Sequence, residues 1–181
     1  MRLALRYIAL MFVGGLLCGA AILTAGAASA QQQAIKGIVT GAAIQKVGFR
    51  AMIQKQAIMY NLAGYARNVP DGTVSISLQG DKDRIDKVLD AIRNGTKKSS
   101  QDNKVSVTDD ALDPSLKTFT VFQWTSTTRN ITNPYDLIFQ LRPADGEISP
   151  KAAKGVWNTI AESTLKGDDL AKFMKHLDAD D

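Results

Sequence analysis

The sequence predicts an α+β fold in which two helices cover one face of an antiparallel sheet. Three observations carry this. Stretches of strand-type and helix-type periodicity follow one another in the order β-α-β-β-α-β, with one more strand after them. Pro70-Asp71-Gly72 separates the second and third strands with turn chemistry. The second helix has both a start signal and a stop signal.

Residues 35–40 form a short β-branched stretch, and a loop rich in small residues follows. From Phe49 the apolar positions Phe49, Met52, Ile53, Ala57 and Tyr60 fall at helical spacing. Residues 64–69 return to extended character, and residues 73–78 alternate so that Val74, Ile76 and Leu78 face inward, which makes a hairpin. Gly80 ends that strand and Asp81 caps a helix whose Ile85, Val88, Leu89 and Ile92 repeat at i, i+3, i+4 and i+7, until Gly95 offers a left-handed stop. The polar segment 96–103 reads as a surface loop before Val105 and Val107, and residues 117–125 read as the last strand. This order fits the ferredoxin-like split βαβ arrangement.

Beyond Ser126 the pattern changes. A polar connection over 127–134 leads to a candidate strand at 135–141 and candidate helices at about 149–164 and 168–177. Ser149-Pro150 supplies a cap and a first-turn proline. Residues 127–181 are too few for a separate core, so they are expected to pack on the preceding domain, residues 31–126, with Val156, Ile160 and Trp157 covering a strand edge or sheet face.

At the amino terminus, Arg2 and Arg6 precede an uncharged run that ends in Ala28-Ser29-Ala30, the pattern of a secretory signal peptide over residues 1–30. Export to the periplasm or outside the cell is the expectation, with an uncleaved membrane anchor as the alternative. Lipidation at Cys18 is disfavoured because Leu17 and Gly15 stand where a small residue and Leu are wanted. Loss of the two leader arginines lowers the formal charge from +4 to +2, which does not indicate a polyanion binder. Cys18, the single cysteine, leaves with the leader, so the mature chain has no thiolate metal site or disulfide.

The segment Gly41-Ala42-Ala43-Ile44-Gln45-Lys46-Val47-Gly48-Phe49-Arg50 lies between a strand and a helix start. Successive N–H groups in such a loop can converge on one concavity, and a helix N-terminus adds positive partial charge. An Arg there adds a permanent charge and a planar fork that takes two phosphate oxygens. Taken alone these features are equally those of an Arg lying along an ordinary helix.

In combination they are more specific. Ile44-Gln45-Lys46-Val47-Gly48-Phe49-Arg50, then Gly64-Tyr65-Ala66-Arg67-Asn68-Val69-Pro70-Asp71-Gly72-Thr73-Val74, then Gly80 opening a second helix, closely resembles the acylphosphatase family over about residues 35–125. The resemblance implies a loop of Gln45, Lys46, Val47, Gly48, Phe49 and Arg50 that binds the phosphoryl group through main-chain N–H groups, with Arg50 as ionic clamp. It implies that Asn68 orients the attacking water. The implied reaction is hydrolysis of an acyl phosphate to carboxylate and orthophosphate, by a monomer without cofactor or metal.

One departure stands out. Lys46 occupies the family's Gly position, and one extra residue lies between Gly41 and Ile44. If position 46 needs φ > 0, Lys costs roughly 1–2 kcal/mol and can turn an N–H away from the phosphate. Against that, its ammonium adds a local cation. Retained activity is the expectation, and a non-catalytic module that binds a phosphorylated ligand or a protein is the alternative. Other candidates are weaker: His176 reads as a surface histidine, Asp109, Asp110 and Asp113 as a solvated loop, and Trp124 and Trp157 as core or lid residues. Ser75 and Ser77 on the outward face of the hairpin argue against nucleic acid.

Overall fold

The computed structural model describes residues 31–125, 133–143 and 146–176; the expected leader lies outside them. Strand β1 (Gln32–Thr40) starts three residues earlier than its β-branched stretch, because pairing with a neighbour extends through Gln32↔Asp81. Helix α1 (Phe49–Tyr60) follows, then β2 (Ala63–Asn68), β3 (Val74–Asp81), helix α2 (Lys82–Asn94), β4 (Lys104–Asp110) and β5 (Thr118–Trp124). The tail adds β6 (Tyr135–Gln140), α3 (Pro150–Thr164) and α4 (Gly167–His176). The α+β class and the βαββαβ order are those the periodicity predicts.

The six strands form one sheet in the order β4-β1-β3-β2-β5-β6. An antiparallel sheet is expected from the sequence, but β5 runs parallel to β2, pairing Gly64 with Phe119 and Ala66 with Val121, so the sheet is mixed. Strand β5 arrives after a separate crossing, and its direction is not set by any hairpin turn. Strand β6 then pairs antiparallel with β5 and covers what would be the sheet edge.

Alternation decides which side chains meet the helices. Ile35, Val39, Val74, Ile76, Leu78, Ala66, Phe119 and Val121 point one way and are buried under α1 and α2. Phe49, Ile53 and Ala57 of α1 and Ile85, Val88, Leu89 and Ile92 of α2 meet them. Each large apolar side chain so buried stabilises the fold by about 1.5–3 kcal/mol. Asp81 accepts hydrogen bonds from the N–H groups of Asp83 (3.0 Å) and Arg84 (3.3 Å) and fixes the start of α2. Gly64 has φ 136, and a Cβ there would lie 1.9 Å from the carbonyl oxygen of Ser77, so β2 reaches β3 only with glycine at this position.

The tail is locked on by apolar and polar contacts. Trp157 is buried beside Trp124, ring centroids 5.7 Å apart and nearly perpendicular, and Phe173 of α4 closes over it at 6.1 Å. Trp157, with Ala153 and Ala161, carries the buried stripe of α3, while Val156 and Ile160 are only partly covered. Buried Gln54 of α1 donates to the carbonyls of Phe119 (3.2 Å) and Leu137 (2.7 Å), and Asp169 accepts from Asn133 (2.9 Å) and the Tyr135 hydroxyl (3.0 Å). Asp109 and Asp110 belong to the end of β4 and not to a loop; Asp110 pairs with Lys36 at 2.9 Å. Asp113 caps a turn by accepting from Ser115.

On the face away from the helices, Ser75 and Ser77 share space with Tyr65 and Phe122, whose rings lie 6.0 Å apart. Two aromatic rings on this face are more than the hairpin pattern indicates, because Phe122 arrives from a distant strand. No helix among the described residues is long and apolar enough to cross a membrane.

Candidate active site

The site is built where β1 hands over to α1. Its loop is docked at one end on the connection between α2 and β4: Ser100 donates its N–H to the carbonyl of Ala43 at 2.9 Å, and Ser100 and the buried Asn103 join side chain to side chain. The segment 96–103 is therefore partly internal, with Asn103 donating to the carbonyl of Ile92 at 2.9 Å. Ala43 is held by that neighbour, and the next residue, Ile44, is buried.

Two residues of the loop adopt left-handed backbone conformations, Lys46 at φ 61 and Gly48 at φ 76. Position 46 therefore does require the conformation that favours glycine, and Lys adopts it. Gly48 is the N-cap of α1 and no side chain caps that end, so the first N–H groups of the helix have no side-chain partner at the cap. Such a left-handed turn at a helix N-terminus presents N–H groups to an anion.

Arg50 sits one residue into α1 and is 8% exposed. Its Nη1 donates to the carbonyls of Phe122 (2.5 Å) and Gln123 (3.0 Å), so both bonds use one nitrogen of the fork. These carbonyls are turned toward it by a bulge in β5 between Val121 and Trp124, where Gln123 has φ 50. Burial pushes the Arg50 guanidinium below its ordinary pKa, and among the described residues no carboxylate pairs with it. A charge held out of water in this way attracts an anion more strongly than an exposed one.

Asn68 ends β2. The register that pairs Ala66 with Val121 carries Asn68 and the Phe122–Gln123 peptide to the same end of adjacent strands. Its Oδ1 is buried and makes no hydrogen bond among the described residues. An acceptor in that state costs about 1–3 kcal/mol unless something else meets it. Gln45 completes the unit: its Nε2 donates to the carbonyls of Val69 (2.8 Å) and Thr73 (2.7 Å), which ties the loop to the turn after Asn68.

Thus the structure brings Gln45, Lys46, Gly48, Arg50 and Asn68 to one end of the sheet, and Ile44, Lys46, Gly48, Phe49, Arg50 and Trp124 line a small pocket there. Phe49 is a core residue, 1% exposed, and reaches the site with its backbone. Val47 is half-buried against the core. His176 is the last residue of α4. The parts that sequence reasoning misses are the Phe122 and Gln123 carbonyls, since a bulge between unremarkable residues leaves no signature, and the use of the Gln45 side chain as a clamp.

The acylphosphatase family model matches residues 35–121. The acylphosphatase of Chlorobaculum tepidum is 36% identical over 84 residues, which cover 46% of this chain and 90% of that protein. That of Methanocella arvoryzae is 41% identical over 63 residues, 35% of this chain and 70% of its own length. The crystal structure of acylphosphatase from Bacillus subtilis aligns with a TM-score of 0.45 at 30% identity, over 49% of this chain and 96% of that one. With nine-tenths of a relative's length matched at more than a third identity, the chain belongs to the acylphosphatase family. The matched segment ends inside β5, so β6, α3 and α4 lie beyond it.

Proposed function

We propose that the protein is an acylphosphatase, a hydrolase of the carboxyl–phosphate anhydride bond of small acyl phosphates. The phosphoryl group sits over the left-handed turn of residues 46–48 at the start of α1, and Arg50 takes its oxygens with the part of the fork not spent on β5. Asn68 orients water through Oδ1. The water oxygen bonds to phosphorus, the bond from phosphorus to the acyl oxygen breaks, and the carboxylate leaves with that electron pair; the proton of the water passes to solvent or to the departing phosphate. Because a carboxylate is a good leaving group, positioning and charge stabilisation suffice, and each role is filled by backbone, Arg50 or Asn68.

The observation that carries this reading is the buried Oδ1 of Asn68, unpartnered among the described residues, at the same end of the sheet as an Arg that pairs with no carboxylate among them. Such an arrangement costs stability and is explained by a water and an anion that meet both groups. The reading of Lys46 as the mark of a non-catalytic module loses ground, since Lys46 keeps the left-handed turn. The test is orthophosphate release from acetyl phosphate by the wild-type chain and by Asn68→Ala. Turnover in the first and its loss in the second support the assignment; equal turnover in both removes Asn68 from it.

The enzyme works as a monomer without metal, so a chelator leaves turnover unchanged. It acts outside the cytoplasm, an assignment that rests on the leader pattern ending in Ala28-Ser29-Ala30. Amino-terminal sequencing of the protein recovered from cells, with Gln31 first, is the expected outcome, and a retained Met1 sends the assignment to the anchored form.

A further inference from the structure

A second concavity opens beside the phosphate loop. Its apolar lining is Met52 and Met59 of α1 and Pro150 and Ala153 of α3, its polar lining is Lys55, Gln56 and Thr96, Gly48 also borders it, and its volume is about 320 Å³. That is within the range of small-molecule sites, about 300–1,000 Å³. Gly48 lines both this groove and the pocket that holds Arg50, and a Cβ added at Gly48 would meet nothing within 4 Å, so the two adjoin at this residue.

We propose that this groove receives the acyl chain of the substrate, and that the chain is an uncharged aliphatic one of several carbons; the assignment rests on the phosphoryl reading of the neighbouring loop. Three observations argue for this occupant. The groove adjoins the place assigned to the phosphoryl group at Gly48, so an acyl chain leaving the phosphate can turn into it. Two unbranched thioethers form one wall, and methionine adapts to flexible aliphatic ligands. The cation that lines the groove, Lys55, stands 4.5 Å over the ring of Trp157 on α3, and the other polar lining residues, Gln56 and Thr96, carry no charge.

The outer wall comes from the tail. Pro150 and Ala153 lie beyond the segment matched by the family model, and their helix is fixed to α1 by the Ile148 N–H donating to the Met59 carbonyl at 3.0 Å. The extension thus gives an acylphosphatase a means of selecting its acyl group, which a phosphate loop alone does not supply.

The experiment compares kcat/KM for acetyl phosphate and hexanoyl phosphate with the full chain, its Met52→Trp variant, which fills the end of the groove one helical turn from Gly48, and Met52→Leu. The expected result is a preference of about tenfold or more for hexanoyl phosphate in the wild type, kept by Met52→Leu and reduced to under about threefold by Met52→Trp. Equal kcat/KM for both substrates in the wild type overturns the groove assignment while leaving the phosphoryl site standing, whether or not the Trp variant folds. A folded Met52→Trp protein with an undiminished preference overturns it as well. Hydrolysis of neither substrate overturns the catalytic reading and, with it, the groove.

Discussion

Gln45 holds Val69 through one 2.8 Å hydrogen bond from Nε2 to the carbonyl, and a second bond from the same nitrogen reaches Thr73 at 2.7 Å. The loop before α1 and the turn that follows Asn68 are therefore one hydrogen-bonded unit, although 24 residues separate Gln45 from Val69. In the proposed reaction, water at Asn68 and phosphate at the loop must keep a fixed separation, and this side chain is placed to set it.

Gln45→Leu separates that role from phosphate binding. Both carbonyls keep another partner, Val69 from the Gly72 N–H at 3.1 Å and Thr73 from the Val69 N–H at 2.9 Å, so the stability loss stays near 1 kcal/mol. The expected kinetic effect is a roughly tenfold lower kcat, since a small misplacement of the reacting groups is enough for that. Urea unfolding together with steady-state kinetics checks both halves, and an unchanged kcat would show that the clamp is only structural.

Arg50→Lys is expected to lower kcat/KM for an acyl phosphate by about 100- to 1,000-fold, the range seen when one well-placed oxyanion donor is lost. The structure adds a second consequence. Lys replaces a fork that already gives one nitrogen to Phe122 and Gln123, so the bulge in β5 loosens and stability falls by about 1–2 kcal/mol. Phosphate release measured well below the melting temperature separates the two, and retention of most activity there would take Arg50 out of the mechanism.

For Asn68→Ala the two effects are expected to point in different directions. The substitution removes a buried acceptor that has no partner among the described residues, so the folded state loses little and gains up to about 1 kcal/mol. Meanwhile kcat falls by at least about 100-fold and inhibition by inorganic phosphate changes little, because the group lost is the one assigned to water. A destabilised variant in which kcat and phosphate affinity fall together would mark Asn68 as a turn residue only.

Much of this fold is legible in the sequence because local and global signals agree. Asp81 and Gly95 delimit α2, the Val74, Ile76 and Leu78 alternation fixes the face of β3, and Ser149-Pro150 starts α3. What is not legible depends on contacts distant in sequence. The parallel pairing of β5 with β2 is fixed by the assembled sheet, and the Phe122 and Gln123 carbonyls become ligands of Arg50 only because a bulge turns them. At the site, Arg50 and Asn68 stand out by residue type and motif, whereas the conformation of Lys46 could be posed from sequence only as a condition. Its φ of 61 answers it.

Acid should weaken the turn beside the site. The Asp71 carboxyl is held below its ordinary pKa of 3.8, chiefly by the Thr73 hydroxyl, which donates to it at 2.7 Å, and then by the Thr73 N–H. A depressed folded pKa means that the stabilisation is complete above the unfolded value and is lost as the pH falls through the folded one. Asp110 and Asp113 are shifted the same way by Lys36 and Ser115, so a fall in Tm is expected below about pH 4. Asp71→Asn, which keeps an acceptor but cannot ionise, should flatten part of that fall; an identical Tm profile between pH 5 and 2 would show that Asp71 contributes nothing to it.

Lys46→Gly tests the position where the loop carries Lys in place of the family's Gly. Because the backbone at Lys46 already has φ 61, glycine would not redirect the loop's N–H groups, and a large gain in kcat is not expected. The gain should appear in stability. A side chain in the left-handed region costs roughly 1–2 kcal/mol, and the added freedom of glycine in the unfolded chain returns about 0.5–1 kcal/mol of that. The net is up to about 1 kcal/mol, a Tm higher by about 2–4 °C for a chain of this size. The ammonium is lost in the same step, so inorganic phosphate should inhibit the variant more weakly at low salt, and the difference should shrink as ionic strength screens the charge. Tm by calorimetry and phosphate inhibition at two salt concentrations measure the two parts. A variant with a lower Tm would mean that contacts of the Lys46 side chain outweigh its backbone strain, and salt-independent inhibition would mean that its charge does not act on the anion.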